Sequence, residues 1–204
     1  MIKNIVFDYG NVMIRFDPAY MVGRYVDDSR DAELLERVVF DRLYWDRLDD
    51  GSISDAEVVE AVKGRIPERL WSVAEEIYYN WVYNLPEIEG MSALVRHVKG
   101  ELGARVFLLS NISVYFADHA HERAELEPFE KCIFSAVVGH VKPNRDMFEY
   151  LCRECGIEPS ETLFVDDSQK NIAGADAFGI KGYLFDGDSA KLRRFIDSLF
   201  EKLQ

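Results

Sequence analysis

The sequence predicts an α/β fold, a parallel sheet covered by helices and interrupted by one all-helical insert. Five short β-rich runs recur, at residues 4–8, 105–110, 133–137, 162–166 and 182–185. Helical patterns separate the later runs, and strands that alternate with helices build a parallel sheet with covered faces. Residues 16–84 break the rhythm, with helical spacing throughout and no convincing strand. The expected division is therefore a core of residues 1–15 and 85–204, with a helical domain at 16–84.

The elements follow in chain order. The first run, Asn4-Ile5-Val6-Phe7-Asp8, is apolar up to its last residue. Inside the insert, Asp49-Asp50-Gly51-Ser52 supplies a turn between helices. Ser54 and Glu57 have capping-box spacing, so a helix starts there, and Pro67 suits the first turn of another. In the second half, residues 146–155 and 169–178 read as helices, the latter stopped by Gly179 as a left-handed cap. Residues 190–203 are amphipathic and close the fold.

The chain has 204 residues, enough to bury a proper core. Its 48% hydrophobic and 30% charged residues are a globular balance. A formal net charge of −13 repels nucleic-acid phosphates and anionic membranes alike, which excludes nucleic acid and membrane as partners. No apolar run approaches the roughly 20 residues that span a bilayer. Asp8 also arrives before any signal-peptide core forms, so a cytoplasmic location is expected.

Cys132, Cys152 and Cys155 are an odd number of cysteines and do not look like a disulfide framework. Cys152 and Cys155 have redox spacing, but they fall near the end of a helix that Gly156 terminates, where the helix dipole disfavours a thiolate. His97, His119, His121 and His140 show no repeated metal-ligand spacing, and none is assigned a role.

Ligands of a parallel sheet bind beyond the carboxyl ends of its strands, where strand order reverses. Three of the runs end in Asp8-Tyr9-Gly10-Asn11, in Ser110-Asn111 and in Asp166-Asp167-Ser168, while Lys142-Pro143 precedes the helix leading to the fourth. Three carboxylates brought to one edge repel unless a cation or protons neutralise them. Oxygen donors without a His or Cys set favour a hard ion, and Mg²⁺ accepts a few protein oxygens while keeping waters and substrate phosphate. Asp8 then suits attack on phosphorus, with Ser110 and Asn111 bonding the phosphoryl oxygens and Lys142 offsetting their charge.

These residues resemble, over almost the full chain, the four ordered motifs of the haloacid dehalogenase-like phosphatases. The resemblance implies a Rossmann-like core, a nucleophile at Asp8, a second motif at Ser110, a third at Lys142 and a metal-binding acidic pair at Asp166-Asp167. It implies Mg²⁺ held by Asp8, the Gly10 carbonyl and Asp166, with Asp167 behind them, and a small phosphorylated metabolite as substrate. The insert resembles the small helical cap of that family, which closes over the substrate and selects it. Tyr44-Trp45-Asp46-Arg47-Leu48, Gly51-Ser52-Ile53-Ser54 and Asp8-Tyr9-Gly10-Asn11 are similar to the bacterial glucose-1-phosphate phosphatases, which suggests a small sugar phosphate. Tyr20, Arg24, Tyr44 and Trp45 are candidates for the substrate cavity, although aromatic residues in a small helical bundle more often form its core.

One position departs from the pattern. Most phosphatases of the family carry a second Asp two residues after the nucleophile, and Gly10 stands there. Protonation of the leaving oxygen and activation of water, steps worth about 10²- to 10⁴-fold, are left without their usual group. The rate should therefore depend steeply on how easily the leaving oxygen departs, with aryl and anomeric phosphates outrunning alkyl phosphates. Two rival readings follow: a haloacid dehalogenase, which needs no metal and which the acidic pair argues against, and a phosphate-binding protein that has lost turnover.

Overall fold

A computed structural model describes residues 1–201. Its strands are β1 (Asn4–Phe7), β2 (Arg105–Ser110), β3 (Lys131–Phe134), β4 (Thr162–Asp166) and β5 (Lys181–Leu184). They form one sheet in the order β3-β2-β1-β4-β5, and every pairing is parallel. Strand order thus reverses between β1 and β4. There the register sets Phe7 beside Val165, so the next residues, Asp8 and Asp166, leave the sheet as neighbours.

All four residues of β1 are buried because both sheet faces are covered. Alternation along the strands sorts the side chains between two cores. Ile5, Phe7, Val106, Leu108, Leu163 and Val165 pack on one face, and Val6, Phe107, Leu109 and Phe164 on the other.

The stretch at 16–84 holds helices α1 (Pro18–Gly23), α2 (Ser29–Val39), α3 (Arg42–Asp49), α4 (Asp55–Lys63) and α5 (Trp71–Asn80), and no strand among the described residues. Asp17, Asp28 and Asp41 each accept a backbone N–H at the start of a helix, and Ser54 with Glu57 completes the expected capping box. Pro67 stands one position earlier than expected, just ahead of a 3₁₀ turn at Glu68–Leu70 that runs into α5. The two connections to the sheet run side by side, with Arg15 N–H donating to the Pro86 carbonyl at 2.8 Å and Ile88 N–H to that of Met13 at 2.9 Å.

The remaining helices are α6 (Met91–Gly100), α7 (Val114–His119), α8 (Ser135–Val138), α9 (Arg145–Cys155), α10 (Gln169–Phe178) and α11 (Ser189–Glu201). Gly179 ends α10 at φ 103°, as its left-handed role requires. The last two positions of the expected 190–203 helix lie outside the described residues. No helix among the described residues is long and apolar enough to cross a membrane.

The third run is corrected. Residues 133–137 were expected to be a strand, but β3 ends at Phe134 and Ser135 opens the short helix α8. The cause is tertiary: buried Ser135 accepts the Ile112 N–H at 2.9 Å and donates its hydroxyl to the Asp49 carbonyl at 2.5 Å. Those bonds turn the backbone out of the sheet, and Gly139 at φ 73° closes the turn. The fifth strand is shifted by one residue from 182–185, although Phe185 N–H still donates to the Asp166 carbonyl.

Candidate active site

The crevice at the β1/β4 switch point opens into a cavity of about 460 Å³, within the range of small-molecule sites. Its sheet-side wall includes Asp8, Gly10, Ser110, Asn111, Lys142 and Asp167. Helices of the insert form the opposite wall.

Lys142 organises the floor. Its side chain is almost wholly buried, and Nζ lies 2.7 Å from Asp8 Oδ1 and 2.7 Å from Asp166 Oδ2. Burial works to lower its pKa, but the two carboxylates outweigh burial and hold it protonated. Asp8 shows the opposite balance: burial pushes its carboxyl up to about 8, against the downward pull of Lys142, and Asp166 adds to the rise. Asp166 is fully buried and also accepts the Ser168 N–H at 2.8 Å and the Asn171 side-chain amide at 3.0 Å.

Oxygens of Asp8, Asp166 and Asp167 lie within 4.8 Å of one another. One ammonium faces three carboxylates, so the cluster carries excess negative charge. Its donors are hard oxygens, which fits Mg²⁺.

Ser110 is buried at the end of β2 on the same edge. Asn111 follows Ser110 and also lines the cavity. Its side-chain oxygen accepts the Lys142 N–H at 2.8 Å and its amide donates to the Lys142 carbonyl at 2.9 Å. These two bonds let the side chain position the Lys142 backbone, and they leave the second N–H of the amide unengaged. At Gly10 an added Cβ would meet nothing within 4 Å, so packing does not force the glycine.

Of the four insert candidates, only Trp45 lines the cavity. Its Nε1 donates to the Val39 carbonyl at 2.8 Å, leaving the ring as its contact surface. Phe16, Phe40 and Trp81 surround that ring at centroid distances of 5.1, 5.3 and 5.1 Å. Tyr20 and Arg24 do not line the cavity. The Arg24 guanidinium, just past the end of α1, donates to the Tyr20 hydroxyl at 3.2 Å, because Tyr20 is exposed and one helical turn before it. Tyr44 is also outside it, covered by the Arg65 guanidinium. Trp45 therefore combines the two roles weighed for it, core residue and cavity wall.

Sequence reasoning missed Asn171, Phe16, Phe40, Trp81, Arg42 and Asp49, which also line the cavity. For Asn171 a signal existed, a polar residue on the first turn of the helix after the acidic pair. The aromatic residues carried none that separates a wall from a core. None of the four histidines lines the cavity. The cysteines are free, and burial pushes Cys152 and Cys155 up to about 11 and Cys132 to about 12, so none is a ready thiolate.

A D-ribitol-5-phosphate phosphatase of Bacteroides thetaiotaomicron is 29% identical over 184 residues, covering 84% of this chain and 86% of the relative. A sesquiterpene phosphatase, astK, of Aspergillus oryzae is 24% identical, covering 88% of each. In fold, the chain is similar to a HAD-family enzyme of Bacteroides thetaiotaomicron solved with magnesium and inorganic phosphate, with a TM-score of 0.68, 22% identity and coverage of 94% and 99%. The family model of haloacid dehalogenase-like hydrolases matches residues 2–179, and the chain belongs to that family of enzymes.

Proposed function

We propose that the protein is a Mg²⁺-dependent phosphomonoesterase in which Asp8 attacks phosphorus and carries the phosphoryl group as an aspartyl phosphate. Lys142, held 2.7 Å from both Asp8 and Asp166 at the strand-order reversal, carries this reading. Asp8, the Gly10 carbonyl and Asp166 would hold the ion, with Asp167 beside them. Bound there, Mg²⁺ supplies charge neutralisation and alignment of the phosphoryl group. Ser110 donates a hydrogen bond to a phosphoryl oxygen, and Lys142 offsets the charge that spreads over those oxygens. The helical domain at 16–84 acts as the cap, the paired connections near Arg15 and Pro86 serving as its hinge.

Phosphate release from an aryl phosphate, with Mg²⁺ and with EDTA, tests the proposal. Metal-independent turnover would indicate a dehalogenase-type nucleophile, and phosphate binding without release a metabolite-binding protein. Asp166→Asn should weaken Mg²⁺ dependence by about 10- to 100-fold or more, since outer partners alone are worth that much. Mg²⁺ affinity in the parent should also strengthen as pH rises toward 8, because Asp8, raised to about 8 by burial, must lose its proton to bind the ion. Titration calorimetry at pH 6 and pH 8 reads both effects, and equal Mg²⁺ affinity in mutant and parent would refute the ligand assignment.

The substrate is a small phosphorylated metabolite with a flat apolar face, and a sugar 1-phosphate qualifies through the C–H face of its ring. The aromatic wall of Phe16, Phe40, Trp45 and Trp81 supports this, since it gives an open-chain polyol few hydrogen-bonding partners. The acidic chain has no attraction for nucleic acid or anionic membrane, and the proposal includes a cytoplasmic location. Trp45→Leu, which keeps an apolar filler, should cut kcat/KM for aryl and sugar 1-phosphates by about tenfold, the scale of a lost aromatic contact. It should leave glycerol phosphate nearly unchanged. A uniform loss across substrates in a stable variant would make Trp45 core only.

A further inference from the structure

Resting on the phosphatase reading, we infer that Asp49, the last residue of α3, is the proton donor and acceptor that serves the leaving oxygen in place of the position occupied by Gly10.

An in-line displacement places the leaving oxygen on the side of phosphorus away from the nucleophile. With Asp8 at the sheet edge, that side faces the insert wall, where the polar side chains lining the cavity are Arg42 and Asp49. A guanidinium does not give up its proton, which leaves Asp49. On the sheet side, Lys142 is committed to two carboxylates, and Asp167 stands with Asp8 and Asp166 where the ion belongs.

The position of Asp49 is set by contacts that cross from insert to core. Its carbonyl accepts the Ser135 hydroxyl, and Ser135 in turn holds the N–H of Ile112, two residues after Ser110. Gly51 packs so closely that an added Cβ would lie 3.3 Å from the Ala136 carbonyl. The end of α3 is thus pinned to the segment that carries Ser110, while the Asp49 carboxylate makes no hydrogen bond or ion pair among the described residues. A half-buried carboxyl facing a reaction cavity without a structural partner is free to exchange protons.

Its surroundings suit the task. Burial pushes the Asp49 carboxyl up to about 7. Arg42 on its own helix and Lys142 across the cavity pull it down, and Asp46 and Asp50 push it up. Its proton is therefore present below about pH 7, the condition for a working acid.

In the first step an Asp8 oxygen bonds to phosphorus as the bond to the leaving oxygen breaks, and the Asp49 proton passes to that oxygen to release an alcohol. In the second step the Asp49 carboxylate takes a proton from water as the water oxygen bonds to phosphorus and the bond between phosphorus and the Asp8 oxygen breaks. Inorganic phosphate leaves, and the Asp8 carboxylate and Asp49 acid are restored. With Asp49 in place, the steep dependence on leaving-group acidity expected from Gly10 disappears.

The test is single-turnover transfer to Asp8 for a series from aryl to alkyl phosphates, in the parent and in Asp49→Asn, with Mg²⁺ present. The parent should show a shallow dependence on leaving-group acidity. Asp49→Asn should lose about 10²- to 10⁴-fold with alkyl phosphates, less than about tenfold with aryl phosphates, and the alkaline fall in rate above about pH 7. Asp49→Ser is read the same way should the Asn variant fold poorly. Alkyl transfer that survives in the variants, or an equal loss with every leaving group, overturns the role of Asp49. The parent's aryl transfer is a separate control: if it forms no phosphoenzyme at Asp8, the phosphatase reading itself fails.

Discussion

Asp8→Asn is expected to remove turnover, by about 10⁴-fold or more, the scale reached when a covalent nucleophile is lost. An amide oxygen cannot form the acyl phosphate, and the fully buried Asp166 is not free to replace it. Asp166 is tied to Lys142, Ser168 and Asn171, and Asp167 lies one residue beyond it. The fold should survive. Burial raises the Asp8 carboxyl to about 8, so in the absence of metal this position favours an uncharged side chain near neutral pH. A neutral Asn of the same shape satisfies that preference, and thermal unfolding in EDTA should occur at the parent's temperature or above it. Rapid quench with a phosphoryl-labelled aryl substrate should leave label on the parent and none on the variant. Undiminished turnover by a properly folded Asp8→Asn would end the nucleophile assignment.

Features set by neighbouring residues were legible in the sequence. Apolar runs that stop at a polar residue located Asp8, Ser110 and Asp166, and the parallel register then made Asp8 and Asp166 neighbours. Ser54 with Glu57 announced a helix start because both partners of the capping box lie within four residues. Features set by distant contacts were not legible. The segment after Ile133 looked like a continuing strand until Ser135 was seen bonded to Asp49 and Ile112. For Asn111, nothing nearby in the sequence shows that its side chain also holds the backbone of Lys142, 31 residues away. Asp49 read as a turn residue because its neighbours Asp50, Gly51 and Ser52 do form a turn, and its place in the cavity comes only from packing against α8. Tyr20 and Tyr44 had the composition of a binding wall, but each meets an arginine outside it.

Lys142→Met should damage both stability and catalysis, and the two losses should respond differently to metal and pH. The parent buries Lys142 between Asp8 and Asp166, and removing one partner of a buried charge cluster typically costs about 3–5 kcal/mol. Urea unfolding in EDTA should show a loss of that order. With the ammonium gone, the orphaned carboxyls are protonated more readily in the folded state than in the unfolded chain. A carboxyl whose folded pKa is raised stabilises at low pH and loses that contribution as pH rises. The deficit against the parent should therefore grow from pH 5 to pH 8, and saturating Mg²⁺ should shrink it by supplying the missing positive charge. Catalysis should not recover with the metal. Lys142 also offsets charge on the transferring phosphoryl group, and losing one such preorganised donor costs about 10²- to 10³-fold in kcat. A variant restored by Mg²⁺ in both stability and rate would show that Lys142 only balances the acidic cluster. Restored stability with the rate still depressed would place its ammonium on the phosphoryl group during transfer.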